Sequence, residues 1–113
     1  IDEIYTSDFT RCVQTVTPLG ESRGLVVSKV PSLNEATFES DPERSITFAN
    51  ALKQDERNIL ICSHNPVIPT MLRGILNTKL KNKDLIKLEP GDAWLVHRVK
   101  GEIVALDYLS ISF

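Results

Sequence analysis

Residues 58–75 read NILICSHNPVIPTMLRGI, and this stretch decides the fold class. Ile59, Leu60, Ile61 and Cys62 form a short apolar run that reads as a strand covered on both faces, at the centre of a sheet rather than at its edge. Ile68, Met71, Leu72, Ile75 and Leu76 follow at helical spacing, and Pro66 and Pro69 are tolerable because they fall in or before the opening turn. His64 therefore lies in a strand-to-helix connection, where ligands meet the carboxyl edge of an α/β sheet. The strand fixes its position, and the helix opening offers unpaired N–H groups to an oxyanion. Taken alone, such a histidine is also compatible with a structural or merely exposed role.

Working outward, residues 6–15 read TSDFTRCVQT. Ile1, Ile4 and Tyr5 suggest a strand that delivers the chain to Ser7 and Asp8, either of which can cap a following helix. Phe9, Cys12, Val13, Val16 and Leu19 give one apolar face from about residue 9 to 20. Pro18 weakens the end of that helix, and Gly20 or Gly24 can stop it. Arg11 sits in the opening turn off the apolar face, where its planar donor array can meet a phosphate or carboxylate, although a plain surface arginine fits the pattern too. Leu25, Val26, Val27 and Val30 predict a strand ending at Pro31, followed by a polar, turn-prone connection. Asp41 and Pro42 read as N-cap and first position of a helix that carries Ile46, Ala49 and Leu52 to about Lys53.

Beyond residue 76, Lys79, Lys81, Lys83 and Lys87, relieved by Asp84 and Glu89, read as a solvated connection. After the turn signal Pro90, Gly91 and Asp92, residues Ala93 to Val99 and Glu102 to Ile111 predict an antiparallel hairpin around Lys100 and Gly101. The succession predicts an α/β fold, a three-layer sandwich with a mostly parallel sheet and helices on its faces.

Composition narrows the function classes. The chain has 113 residues, 42% hydrophobic and 25% charged, which suits one domain spanning residues 1–113. Fifteen acidic and thirteen basic side chains leave a formal charge of -2, with no basic stripe to recommend a nucleic-acid polymer as partner. Cys12 and Cys62 are too few for a disulfide scaffold and predict reduced, buried thiols. No apolar stretch approaches the roughly 20 residues that span a bilayer, and no signal segment opens the chain, so a cytoplasmic location away from membranes is expected. A cysteine-phosphatase loop, a GxSxG elbow, a P-loop, HExxH and paired CxxC are all absent, so no cofactor or metal is indicated. His97 alternates with Trp94 and Val96 and reads as structural or surface exposed.

Together the two chemical segments resemble the histidine phosphatase superfamily, also called phosphoglycerate-mutase-like. Ser7, Arg11, Gln14 and Thr15 match the serine, arginine and glutamine-threonine pattern of one pocket wall. Ser63 and His64 match the family's second histidine after an apolar strand, and GDAWLVHR at residues 91–98 is similar to its late turn and strand. SLNEATFESDP, residues 32–42, and SHNPV, residues 63–67, look most like the phosphatase-like domain attached to a Nudix, MutT-like, hydrolase in some actinobacterial proteins. The resemblance implies catalytic roles for Arg11, His64 and a carboxylic acid, with Glu35 as candidate and Glu39 as local competitor. It implies phosphate binding by Arg11, His64 and Ser7. The arginine-histidine-glycine motif that carries the family's nucleophile does not occur in these residues.

The expectation is thus a partial domain missing its first strand, one side of a phosphohydrolase or mutase site, catalytically incomplete without an upstream segment or partner domain. The implied ligand is a small phosphorylated metabolite or nucleotide, and an incomplete sheet favours a homo-oligomer or element exchange. The alternative is a non-enzymatic phosphate- or nucleotide-binding or structural domain.

Overall fold

Strand β1 (Glu3–Thr6) runs through the middle of the computed structural model, which describes residues 1–76 and 86–110. Helix α1 (Thr10–Arg23) returns the chain to β2 (Val27–Lys29), and β2 pairs parallel to β1 with Ile4 opposite Val27 and Thr6 opposite Lys29. A 3-10 turn (Pro31–Leu33), α2 (Glu35–Ser40), α3 (Glu43–Ala51) and a second 3-10 turn (Leu52–Gln54) then lead to β3 (Ile59–Cys62). It lies parallel on the other side of β1, with Thr6 opposite Cys62. Parallel neighbours need crossovers of this kind, because a tight turn can only join antiparallel strands.

Alternation along β1 sends side chains to opposite faces. A Cβ at Gly20 of α1 would approach Ile4, while Tyr5 meets Phe48 of α3 edge to face at 5.4 Å between ring centroids. Helices therefore flank the parallel sheet on both faces. On the α3 face the main core gathers Leu33, Ala49, Val67, Met71, Leu72 and Ile75, with α4 (Val67–Ile75) its largest contributor. The last two strands, β4 (Ala93–Val99) and β5 (Glu102–Leu109), form an antiparallel hairpin whose Trp94, Val96, Ile103 and Leu106 pack against that core. The architecture is α/β, with parallel and antiparallel strands flanked by helices.

Several expectations need correcting. The five described strands form two sheets, a parallel one ordered β2-β1-β3 and the separate hairpin, rather than one mostly parallel sheet. β3 is an edge strand among the described residues, although its apolar run predicts a central one. Every one of its residues is half-buried, whereas Ile4 of the truly central β1 is fully buried. Apolar character on both faces reports that helices cover the faces, and says nothing about which edges are paired.

Helix α1 runs past both Pro18 and Gly20 to Gly24, whose φ of 66° gives the left-handed stop. Gly20 serves close packing instead, since a Cβ there would sit 2.8 Å from Val27 Cγ2 and 3.0 Å from the Leu25 carbonyl. The connection after Pro31 contains the short helix α2, which the polar character of residues 32–40 conceals. The predicted N-caps also fail: Phe9 and Pro42 occupy those positions, and neither helix has a side-chain capping bond. Lys79, Lys81, Lys83, Asp84 and Ile111 lie outside the described residues.

Candidate functional site

The carboxyl ends of β1 and β3 are stitched together by the Ser7 N–H donating to the Cys62 carbonyl at 3.0 Å. This brings Ser7, at the end of β1, beside His64, just past β3. The Ser7 hydroxyl lies 2.9 Å from His64 Nε2, and both residues are buried. His64 lies just ahead of the Asn65–Pro66 entry to α4, and its carbonyl accepts the N–H groups of Val67 and Ile68.

Two further elements converge on the ring. Arg11 Nη2, from the first turn of α1, lies 3.1 Å from His64 Nδ1, and Glu35 Oε1, from the first turn of α2, also lies 3.1 Å from that nitrogen. The same Arg11 Nη2 donates to Glu35 Oε1 at 2.9 Å. Arg11, Glu35 and His64 thus form a triangle drawn from three separate connections, those after β1, β2 and β3. Exposure grades across it, from 2% for the His64 side chain to 32% for Glu35 and 68% for Arg11, so the guanidinium faces solvent while the imidazole is sealed beneath it.

The contacts on Nδ1 are chemically opposed. A guanidinium only donates and a carboxylate only accepts, so a neutral ring satisfies Arg11 with a bare Nδ1 or Glu35 with a protonated one. The Ser7 hydroxyl complements either form, because it can accept from Nε2–H or donate to bare Nε2. Burial is the largest influence on the ring and holds its pKa below the usual 6.5; the Glu35 carboxylate opposes this and the Arg11 cation reinforces it. A neutral His64 is the resting form near pH 7.

Phe9 is a site residue the sequence reading placed elsewhere. Counted there on the buried face of α1, it sits at the N-cap with 40% exposure. Its ring meets His64 at 4.8 Å between centroids and lies 5.5 Å from the Arg11 guanidinium carbon. It shields one side of the imidazole and supports the arginine by a cation–π contact. Asn34, also unnoticed in the sequence, exchanges two hydrogen bonds with Asp8 beside the triangle. Its only sequence signal is its place directly before Glu35.

The other candidates lie apart or act indirectly. Glu39 is exposed one turn further along α2 and makes no hydrogen bond or ion pair with the triangle, so the fold brings Glu35 rather than Glu39 to His64. Gln14 is exposed, and Thr15 turns its hydroxyl back to the Arg11 carbonyl at 2.6 Å. Ser63 donates to the Leu33 carbonyl at 2.6 Å, tying the approach to Glu35 onto the end of β3. His97 stands on the hairpin, exposed, with Nε2 2.8 Å from Asp107 Oδ2.

Cys12 and Cys62 are both free thiols, and Cys12 Sγ lies 4.0 Å beneath His64 Nε2. Burial, aided by the neighbouring Cys12, pushes the Cys62 thiol up to about 12, so it stays protonated and unreactive at neutral pH. Among the described residues no group of three or more His, Cys, Asp and Glu side chains is arranged to hold a metal ion, and no helix is long and apolar enough to cross a membrane.

An exposed arginine beside a buried neutral imidazole and a carboxylate can hold a phosphoryl group and manage a proton next to it. Comparison with known proteins points the same way. Residues 1–46 match the histidine phosphatase superfamily, branch 1. That segment includes Ser7, Arg11 and Glu35, while His64 reaches them from outside it through the β1–β3 pairing. A Mycolicibacterium smegmatis protein named 8-oxo-(d)GTP phosphatase is 25% identical over 107 residues, 95% of this chain and 33% of its own length. The chain thus spans about a third of that relative. The matched family and the relative's printed name are both those of phosphatases.

Proposed function

We propose that this chain forms one side of a histidine-phosphatase active site, as a partial three-layer, phosphoglycerate-mutase-like domain. The observation that carries the reading is the Arg11–Glu35–His64 triangle, assembled at the carboxyl edge of a parallel sheet from the connections after β1, β2 and β3. Arg11 presents its free donors to the phosphoryl oxygens, and His64, steadied by Ser7, lies beneath them. Ser7 acts on phosphate through His64, since its hydroxyl is turned to Nε2 in a fully buried position.

In the full reaction a nucleophilic histidine, contributed from outside these 113 residues by an upstream segment or a partner domain, forms a bond to phosphorus as the bond to the leaving oxygen breaks. Glu35 in its protonated form gives that oxygen its proton. The resulting carboxylate then takes a proton from the water that displaces phosphate from the histidine, which returns Glu35 to its starting state. The unpaired edge of β3 suits a parallel strand carrying that histidine, because its backbone groups have no strand partner there among the described residues. A small phosphorylated metabolite or nucleotide is the substrate class. The relative's printed activity supports an oxidised guanine nucleotide as the substrate, while attachment to a Nudix-type domain and a cytoplasmic location are carried over from the sequence resemblance and composition alone.

The test is incubation of the isolated chain with a phosphomonoester, reading phosphate release and acid-labile phosphohistidine. No turnover is expected until an arginine-histidine-glycine segment is restored; turnover by the isolated chain, abolished by His64→Ala with phosphate found on His64, overturns the incomplete-site reading. A binding-only role is the second reading. It is favoured by His97, the other histidine of the chain, which is held by Asp107 on the hairpin and is no part of the triangle.

A further inference from the structure

Two of the chain's best capping residues do not cap. Asn34 stands at the N-cap position of α2, and Asp8 stands just ahead of the N-cap of α1, yet neither helix has a side-chain capping bond. Asparagine and aspartate at such places normally satisfy the open N–H groups of their own helix. Here they bond to each other instead. The Asp8 backbone N–H donates to Asn34 Oδ1 at 2.7 Å, and Asn34 Nδ2 donates to Asp8 Oδ2 at 3.0 Å.

The pair links the two helix openings that carry the exposed corners of the triangle. Asn34 is the residue before Glu35, and Asp8 lies three before Arg11. Two bonds of different direction fix orientation as well as distance, which one bond cannot do. A second tie holds the same segment from beneath, where Ser63 donates to the carbonyl of the fully buried Leu33. Glu35 is therefore anchored through its two preceding residues to the ends of β1 and β3.

We infer that the Asn34–Asp8 pair is a positioning clamp, which sets the start of α2 against the start of α1 and so holds the Glu35 carboxylate on His64 Nδ1. It forgoes the Asn34 side-chain cap of α2 for that placement. The inference rests on the proposed site, but its test reads geometry at His64 and needs no turnover.

The ionisable groups facing the imidazole are Arg11 and Cys12 from α1 and Glu35 from α2. Of these, only Glu35 raises the proton affinity of the ring, so losing its contact lowers the His64 titration midpoint. The experiment follows both histidines by side-chain nitrogen NMR across pH in the full chain, with His97 as internal reference and thermal unfolding of each variant recorded. Glu35→Gln is expected to lower the His64 midpoint. Asn34→Ala is expected to lower it in the same direction, by at least half as much, with His97 unmoved. Asp8→Asn keeps the backbone donor and a side-chain acceptor, so its His64 midpoint is expected to lie above that of Asp8→Ala, although both lose the same charge.

A wild-type His64 midpoint in folded Asn34→Ala overturns the clamp, even with a lowered melting temperature, because the pair would then be structural only. So does an unmoved midpoint in Glu35→Gln, which would leave nothing to hold. Should Asn34→Ala fail to fold, the Asp8 variants decide, and equal midpoints in those two overturn the inference. Calorimetry with inorganic phosphate on the wild-type chain separates the two ideas: absence of binding removes the proposed function and leaves the titration result standing.

Discussion

The same three strands carry an arginine cluster at each end, and the two clusters are built differently. At the amino end Arg57 uses its whole fork: Nε and Nη2 reach Asp55, Nη1 reaches Glu3 at 2.8 Å, and Nη2 also lies 3.4 Å from the Tyr5 hydroxyl. At the carboxyl end Arg11 engages Glu35 and His64 through Nη2 alone, leaving Nε and Nη1 without a hydrogen bond among the described residues. Arg57 is a saturated tie between β1 and the turn before β3. Arg11 keeps donors in reserve beside a buried imidazole, which suits a ligand that comes and goes.

The comparison breaks most readily at phosphate binding. Arg11→Ala is expected to weaken binding of inorganic phosphate roughly tenfold or more, the scale of lost charge-assisted hydrogen bonds. Arg57→Ala should leave it unchanged in the same calorimetric titration at matched salt. Equal affinity in wild type and Arg11→Ala would erase the distinction.

Mounting on the core is the next difference. Leu33, fully buried two residues before Glu35, links the carboxyl-end site to the main cluster, so Leu33→Ala should cost about 3 kcal/mol in urea unfolding. A loss below about 1 kcal/mol would mean that the cavity collapses and the site is less firmly mounted than its packing implies.

Protonation separates the ends further. A bound phosphate brings negative charge to a ring whose pKa is held down by burial, so binding draws a proton onto His64. Affinity should therefore rise as pH falls from about 7 toward the depressed midpoint. His64→Asn should flatten that profile.

The smallest effects concern stability against pH. The folded His64 pKa lies below its unfolded value near 6.5, so the unfolded chain takes up the proton first. Its contribution is fully present above that pH and is lost as pH falls from there toward the folded midpoint. At the other end, hydrogen bonds from Arg57 hold the Asp55 carboxyl at about 2 rather than 3.8. Its contribution is present above 3.8 and lost as pH falls toward about 2. Urea midpoints across pH for wild type, His64→Asn and Asp55→Asn should show two separate windows, the acidic one shrinking with added salt because Arg57 and Asp55 lie at the surface.

Local signals in the chain determined much of this. Helical spacing in residues 67–76, the apolar run at 59–62 and the turn at Lys100–Gly101 each depend on neighbours a few residues away, and each element formed where the pattern placed it. Arg11 and His64 were readable at strand-to-helix openings, because α/β connections bring strand ends to one edge, whereas Glu35 came only from the family resemblance, with Glu39 left open beside it. Tertiary structure decided the rest. Which side of β1 receives β3 is a backbone pairing between residues 56 apart, and no side-chain period encodes it. Phe9 left the buried face for the imidazole, and Asn34 bonds Asp8 in place of capping its own helix. A capping residue in sequence announces only that it carries a short polar group; whether that group serves its own helix or another depends on which acceptor the fold brings within about 3 Å.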